Sequence, residues 1–120
     1  MNSAQRLYVF WAGFGLPAYD ETHVPSGASF PRITYETSMD EFGNEIPLTA
    51  SIWYRSESWQ EITLKANAIA NTIGRGGIML RTDDGALWLK KGTPFAQRMS
   101  DASDDSIRRI VINLSAEFIE

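Results

Sequence analysis

The chain has 120 residues, an apolar fraction of 43% and a formal charge of −4. That length predicts one domain over residues 1–120, able to build a core without disulfides or metal staples. It has no cysteine, which excludes thiol chemistry and cysteine-ligated zinc. Its basic residues do not gather beyond the doublets Lys90-Lys91 and Arg108-Arg109, so a nucleic-acid surface is not expected.

The first predicted element is a short helix from Ser3 to Phe14, with Ser3 as its N-cap. Leu7, Phe10, Trp11 and Phe14 fall on one face of it, and Pro17 stops it. The apolar run Leu7 to Leu16 lacks the flanks of a signal peptide and is too short to span a bilayer. Ala18 to Ser29, with Pro25 and Gly27, reads as a loop. Phe30 to Thr37 then reads as a strand, with Pro31 confined to its start.

Ser38 to Ile46 connects that strand to the next and carries the turn signal Gly43-Asn44. From Leu48 to Arg55 the alternation is clean. Leu48, Ala50, Ile52 and Tyr54 share one face, and Thr49, Ser51, Trp53 and Arg55 the other. The two strands are expected to pair antiparallel.

Ser58 to Gly74 is the strongest helix signal in the chain. Ser58 and Glu61 have the spacing of a capping box, and Trp59, Ile62, Ala66, Ile69 and Ile73 form an apolar stripe. Gly74 is placed to close the helix in a left-handed conformation. Next, Gly77 to Thr82 and Ala86 to Lys91 flank Asp83-Asp84-Gly85, a hairpin pattern. Gly92 to Pro94 breaks the strand, Phe95 to Met99 forms a short one, and Ser100 to Asp105 is an acidic turn. Ile110, Ile112, Leu114, Ala116 and Phe118 alternate along a last, long strand. The expected fold class is α+β: a mixed, mostly antiparallel sheet with two helices packed on one face.

No catalytic constellation stands out, and the chain is not expected to be an enzyme. His23 is a lone histidine beside Asp20 and Glu21, without the spacing of a metal site, and reads as a solvated loop residue. Asp101, Ser103 and Asp105 imitate the start of a calcium loop, but Ser106 stands where glycine is needed and Ile112 where the bidentate glutamate belongs. Gly74-Arg75-Gly76-Gly77 follows a helix rather than opening one, so it is a joint and not a phosphate cradle. Asn113-Leu114-Ser115 is a glycosylation triplet inside a strand and is set aside. No cofactor, metal or membrane partner is expected. What remains is aromatic and methionine side chains at polar positions: Met39, Phe42 and Ile46 in the connection, with Trp53 and Trp88 on strands. Such residues mark protein contacts if exposed, and pack beneath a loop or helix if not.

Two segments carry a resemblance. Val24-Pro25-x-Gly27-Ala28-x-Phe30-Pro31-x-Ile33-Thr34-Tyr35, then Ile52-Trp53-x-Arg55-Ser56 running into an amphipathic helix, resemble the tail completion and tail terminator (head–tail joining) proteins of long-tailed bacteriophages and prophages. Arg32 departs from the pattern, at a place where many relatives carry an aromatic. The resemblance covers most of the chain. It implies a structural protein of the virion neck, made in the host cytoplasm, that closes into a homo-oligomeric ring, typically a hexamer. Its partners would be itself, the tail tube protein whose polymerisation it terminates, and the head connector or neck protein. Contacts are expected at Met39, Phe42, Ile46, Trp53 and Arg55. The alternative is a monomeric accessory binding module, such as a tail-assembly chaperone or a host-directed binding protein.

Overall fold

The computed structural model describes residues 1–37, 45–100 and 104–119. Among these, two helices and six strands follow one another as α1 (Ser3–Ala12), β1 (Ala18–Asp20), β2 (Arg32–Tyr35), β3 (Glu45–Arg55), α2 (Gln60–Ile73), β4 (Ile78–Thr82), β5 (Gly85–Ser100) and β6 (Ile107–Ile119). The strands form a single sheet in the order β1-β2-β3-β6-β5-β4. Only β1 and β2 run parallel; every other neighbouring pair is antiparallel. The expected α+β class holds.

Helix α2 is built on four of the five residues of the anticipated stripe, Ile62, Ala66, Ile69 and Ile73, which are buried, while Trp59 stands half-buried at the N-cap. They lie over β3, β6 and β5, whose inward residues include Ile52, Ile110, Ile112 and Leu89, all buried. Helix α1 buries Leu7, Phe10 and Trp11, and the Trp11 ring stacks on Tyr35 of β2 at 6.3 Å. It touches both edge strands, β1 and β4, so the curl of the sheet brings its two margins to one helix. Lys65 of α2 donates to the Phe14 carbonyl at 2.7 Å, which ties the end of α1 to the second helix.

Several local expectations are corrected. The N-cap of α1 is Asn2, not Ser3: its side chain accepts from Gln5 N–H at 2.8 Å while the Gln5 side chain accepts from Asn2 N–H at 2.9 Å. Asparagine is as good a cap as serine, so the reciprocal pair with Gln5 decides the start. Helix α2 has no such box. Its N-cap is Trp59, without a side-chain cap, and Ser58 Oγ accepts instead from Gln60 N–H at 3.0 Å. Gly74 does take positive φ, 75°, but with ψ of 177°, so it departs in extended geometry rather than the left-handed helical one.

The stretch expected as a loop after α1 contains β1. Three residues are too few to show alternation, and backbone bonds from Ile33 N–H to Pro17 O and Glu21 N–H to Tyr35 O hold it. The break at Gly92 to Pro94 is a bulge within one strand, β5, where register jumps between Lys91 and Ala96. Asn113 fills it: Nδ2 donates to Pro94 O at 2.9 Å and to Gln97 Oε1 at 3.2 Å. Gly92 permits the approach, since a Cβ there would lie 2.9 Å from the Asn113 carbonyl oxygen. The β4–β5 hairpin forms as expected, with Thr82 paired to Gly85 around Asp83-Asp84.

Candidate interaction surface

Both helices cover one face of the sheet, and among the described residues no helix covers the other. Pairing registers bring residues from distant parts of the chain into rows on that open face. Arg32 of β2 lies opposite Trp53 of β3, Trp53 opposite Arg109 of β6, and Arg109 opposite Met99 of β5. The guanidinium of Arg109 sits 4.6 Å from the Trp53 ring centre and that of Arg32 sits 5.7 Å from it. Phe30 extends the stack, with Arg32 at 4.4 Å and Arg55 at 4.8 Å from its ring. Arg109, Trp53, Arg32, Phe30 and Arg55 therefore form one ladder of alternating cations and rings.

The ladder is pinned from several directions. Trp53 Nε1 donates to Thr34 Oγ1 at 3.0 Å, and Arg109 Nε donates to the hydroxyl of buried Ser51 at 3.1 Å. Arg32 Nη1 donates to the Ala28 carbonyl at 3.0 Å. Arg55 Nη1 reaches Asp104 Oδ2 at 2.9 Å and Ser106 Oγ at 2.7 Å. The Ser106 hydroxyl and N–H both donate to Asp104, and with Arg55 beside it these hold the Asp104 carboxyl down to about 2.

The expected contact residues are distributed differently. Met39 and Phe42 lie outside the described residues. Ile46 belongs to β3, which begins at Glu45, rather than to the connection before it; it pairs with Ala116 and packs partly buried against the core. It shares the inward face of Leu48 and Ala50, so part of its apolar surface is already covered. Trp53 is half-buried and Arg55 exposed, and both join the ladder, linked through Arg32 and Phe30. Sequence reading missed Phe30, Arg32 and Arg109 as members. Alternation placed Arg109 on the polar side of its strand, yet nothing in the sequence tells that this side meets Trp53 across a ladder.

A second cluster occupies the far end of the open face. Trp88 Nε1 donates to Gly76 O at 3.0 Å, Lys90 covers its ring at 4.3 Å, and Lys90 also pairs with Glu45. Met79, opposite Trp88 on β4, is 49% exposed. Gly77 makes this arrangement possible. Its φ is +89°, and a Cβ would stand 2.5 Å from Leu89 O and 2.7 Å from Trp88 Nε1. On the helical side, Tyr8 and Val9 of α1 and Leu64 of α2 are exposed apolar residues.

His23 is exposed in the loop after β1, where Nδ1 shares a 2.7 Å hydrogen bond with Thr22 Oγ1. Asp20 accepts from Thr22 N–H and Oγ1 and from Thr37 Oγ1, which lower its pKa. Among the described residues no three or more His, Asp or Glu side chains converge as a metal site.

In comparison with solved structures, the chain shares its fold with a chain in the virion of a native gene transfer agent particle. The TM-score is 0.61 at 19% identity, over 96% of this chain and 90% of that one. No family model matches the chain, and no curated protein matches it significantly. At that identity the likeness establishes the fold.

Proposed function

We propose that this chain is a structural subunit of a phage-like virion. More finely, it closes into a ring, sixfold, at the head-proximal end of the tail tube, stops tube polymerisation and joins the tail to the neck. The observation that carries the reading is the fold shared almost end to end with a chain of a virion particle. The short motifs around Phe30 to Tyr35 and Ile52 to Ser56 add the tail-terminator resemblance. They lie in and next to β2 and β3, which with β6 carry the arginine–aromatic ladder.

The mechanism is geometric, with no catalytic group. A head-to-tail contact between identical subunits uses two different patches, and it ends in a ring when the rotation per subunit closes. Apolar side chains left outside the core suit such contacts: Tyr8, Val9, Leu64, Met79 and Met99 are each more than two-fifths exposed. Met39, Phe42, Ile46, Trp53 and Arg55 remain the proposed contact residues, with the tube protein, the neck protein and a second copy as partners. The particle is its final location, after assembly in the host cytoplasm.

Light scattering across a concentration series, alone and with the tube protein, tests this. About six copies of 13.5 kDa in one species, or a cap on tube ends that limits their length, is the expected result. A monomer that also leaves tube growth unchanged would overturn the reading in favour of an accessory binding module.

A further inference from the structure

Among the described residues, the ladder's three guanidinium groups have one carboxylate beside them, that of Asp104. Among the described residues Arg55 is paired with Asp104, while Arg32 and Arg109 have no acidic partner within ion-pair distance. Arg32 gives one N–H to a carbonyl and Arg109 gives its Nε to Ser51, which leaves in-plane donors on both without a partner among the described residues. A guanidinium lying near an aromatic ring keeps its rim of N–H groups free to meet a planar anion in bidentate fashion. In a chain of net charge −4, this local excess of cations is out of keeping with the whole.

We infer that the ladder Arg109–Trp53–Arg32–Phe30–Arg55 is the docking seat for a carboxylate-rich segment of a partner polypeptide. Arg32 and Arg109 stand on strands two positions apart in the sheet, a span of about 10 Å. On an extended segment, carboxylates on one side lie about 6.6 Å apart at i and i+2 and about 13 Å apart at i and i+4, so the long side chains of a run of acidic residues bracket that span. Each would receive a charge-assisted fork, while Trp53, Phe30 and Met99 offer apolar surface beside it. A nucleic acid is disfavoured because it calls for a basic track following the phosphate backbone. Here the cations form one short row with Asp104 at its end, on an acidic protein. The inference rests on the proposed function in taking the partner to be a protein of the assembly.

The test is titration of the whole protein with a synthetic oligoglutamate peptide, followed by the Trp53 indole N–H resonance in a two-dimensional NMR spectrum. An oligolysine peptide and a single-stranded oligonucleotide of matched charge serve as controls. The glutamate peptide is expected to shift the Trp53 signal saturably, with affinity falling as salt rises. The double variant Arg32→Gln/Arg109→Gln should raise the dissociation constant at least about tenfold, the loss of two charge-assisted contacts. Arg109→Lys keeps the charge, loses the planar fork and should fall between. Arg75→Gln, in the exposed joint after α2, should change nothing.

The inference is overturned if the glutamate peptide leaves the Trp53 resonance unmoved, or if Arg109→Lys binds it as wild type does. Tighter binding of the oligonucleotide at equal salt would overturn it too. These readings require only the folded wild type and a single conservative variant, so misfolding of the double variant does not obscure them. A hexamer blind to the peptide would remove the acidic partner and keep the ring. A monomer that binds at the ladder would do the reverse.

Discussion

Ile69→Ala tests whether the α2 stripe holds the helix on the sheet. Ile69 is fully buried, in the middle of a stripe with Ile62, Ala66 and Ile73. The substitution removes three carbon groups, about 2.4 kcal/mol of transfer free energy at roughly 0.8 per group. The space left behind adds about 1–2 kcal/mol if the sheet cannot follow the helix inward. Alanine's better helix propensity returns about 0.4 kcal/mol. The expected cost is therefore about 3–4 kcal/mol, out of a total that for 120 residues is on the order of 6–18. In heat this is a fall in Tm of roughly 10–15 °C.

Leu64→Ala is the matched control on the same helix, since Leu64 is 60% exposed, and should stay within about 0.5 kcal/mol. Urea denaturation followed by far-UV circular dichroism, with the slope unchanged between proteins, measures both. If Ile69→Ala costs less than about 1 kcal/mol, or Leu64→Ala costs as much, the packing argument is wrong.

Gly77→Ala should destabilise by about 2–3 kcal/mol, because its φ of +89° and the crowding by Leu89 O and Trp88 Nε1 leave a methyl group no place. Gly76→Ala, with open space around it, should be near neutral; equal costs at the two positions in the same denaturation assay would refute the reading. The Asp104 carboxyl is held at about 2, below its usual 3.8. Its contribution is therefore present above pH 3.8 and is lost as pH falls toward 2. Comparing wild type with Asp104→Asn in urea at pH 6 and at pH 2, the gap between their midpoints should shrink at the lower pH; a constant gap would show that the carboxylate charge is not what Ser106 and Arg55 hold.

Much of the fold was legible because its signals are local. The stripe Ile62-Ala66-Ile69-Ile73, the alternation Leu48 to Tyr54 and the Asp83-Asp84-Gly85 turn each repeat at the period of the structure they form. The failures were of two kinds. Caps depend on which of several adequate side chains reaches an N–H, and Asn2 with Gln5 wins over Ser3 by one residue of register. Strands whose pairing is supplied from elsewhere carry little pattern. β1 exists because β2 lies beside it, and β5 continues past Gly92-Thr93-Pro94 because Asn113 of β6 caps the bulge.

Periodicity, which sets the side a residue takes, was enough for the fold class, the inward faces and the position of Trp53 on a polar strand face. What Trp53 meets there depends on which strands lie beside it. Arg32 and Arg109 are separated by 77 positions in the chain (109 − 32), yet the order β2-β3-β6 sets them on either side of one indole ring. Strand order is a property of the whole sheet, fixed by the common burial of many inward side chains. A surface assembled from three strands therefore has no signature in any one of them.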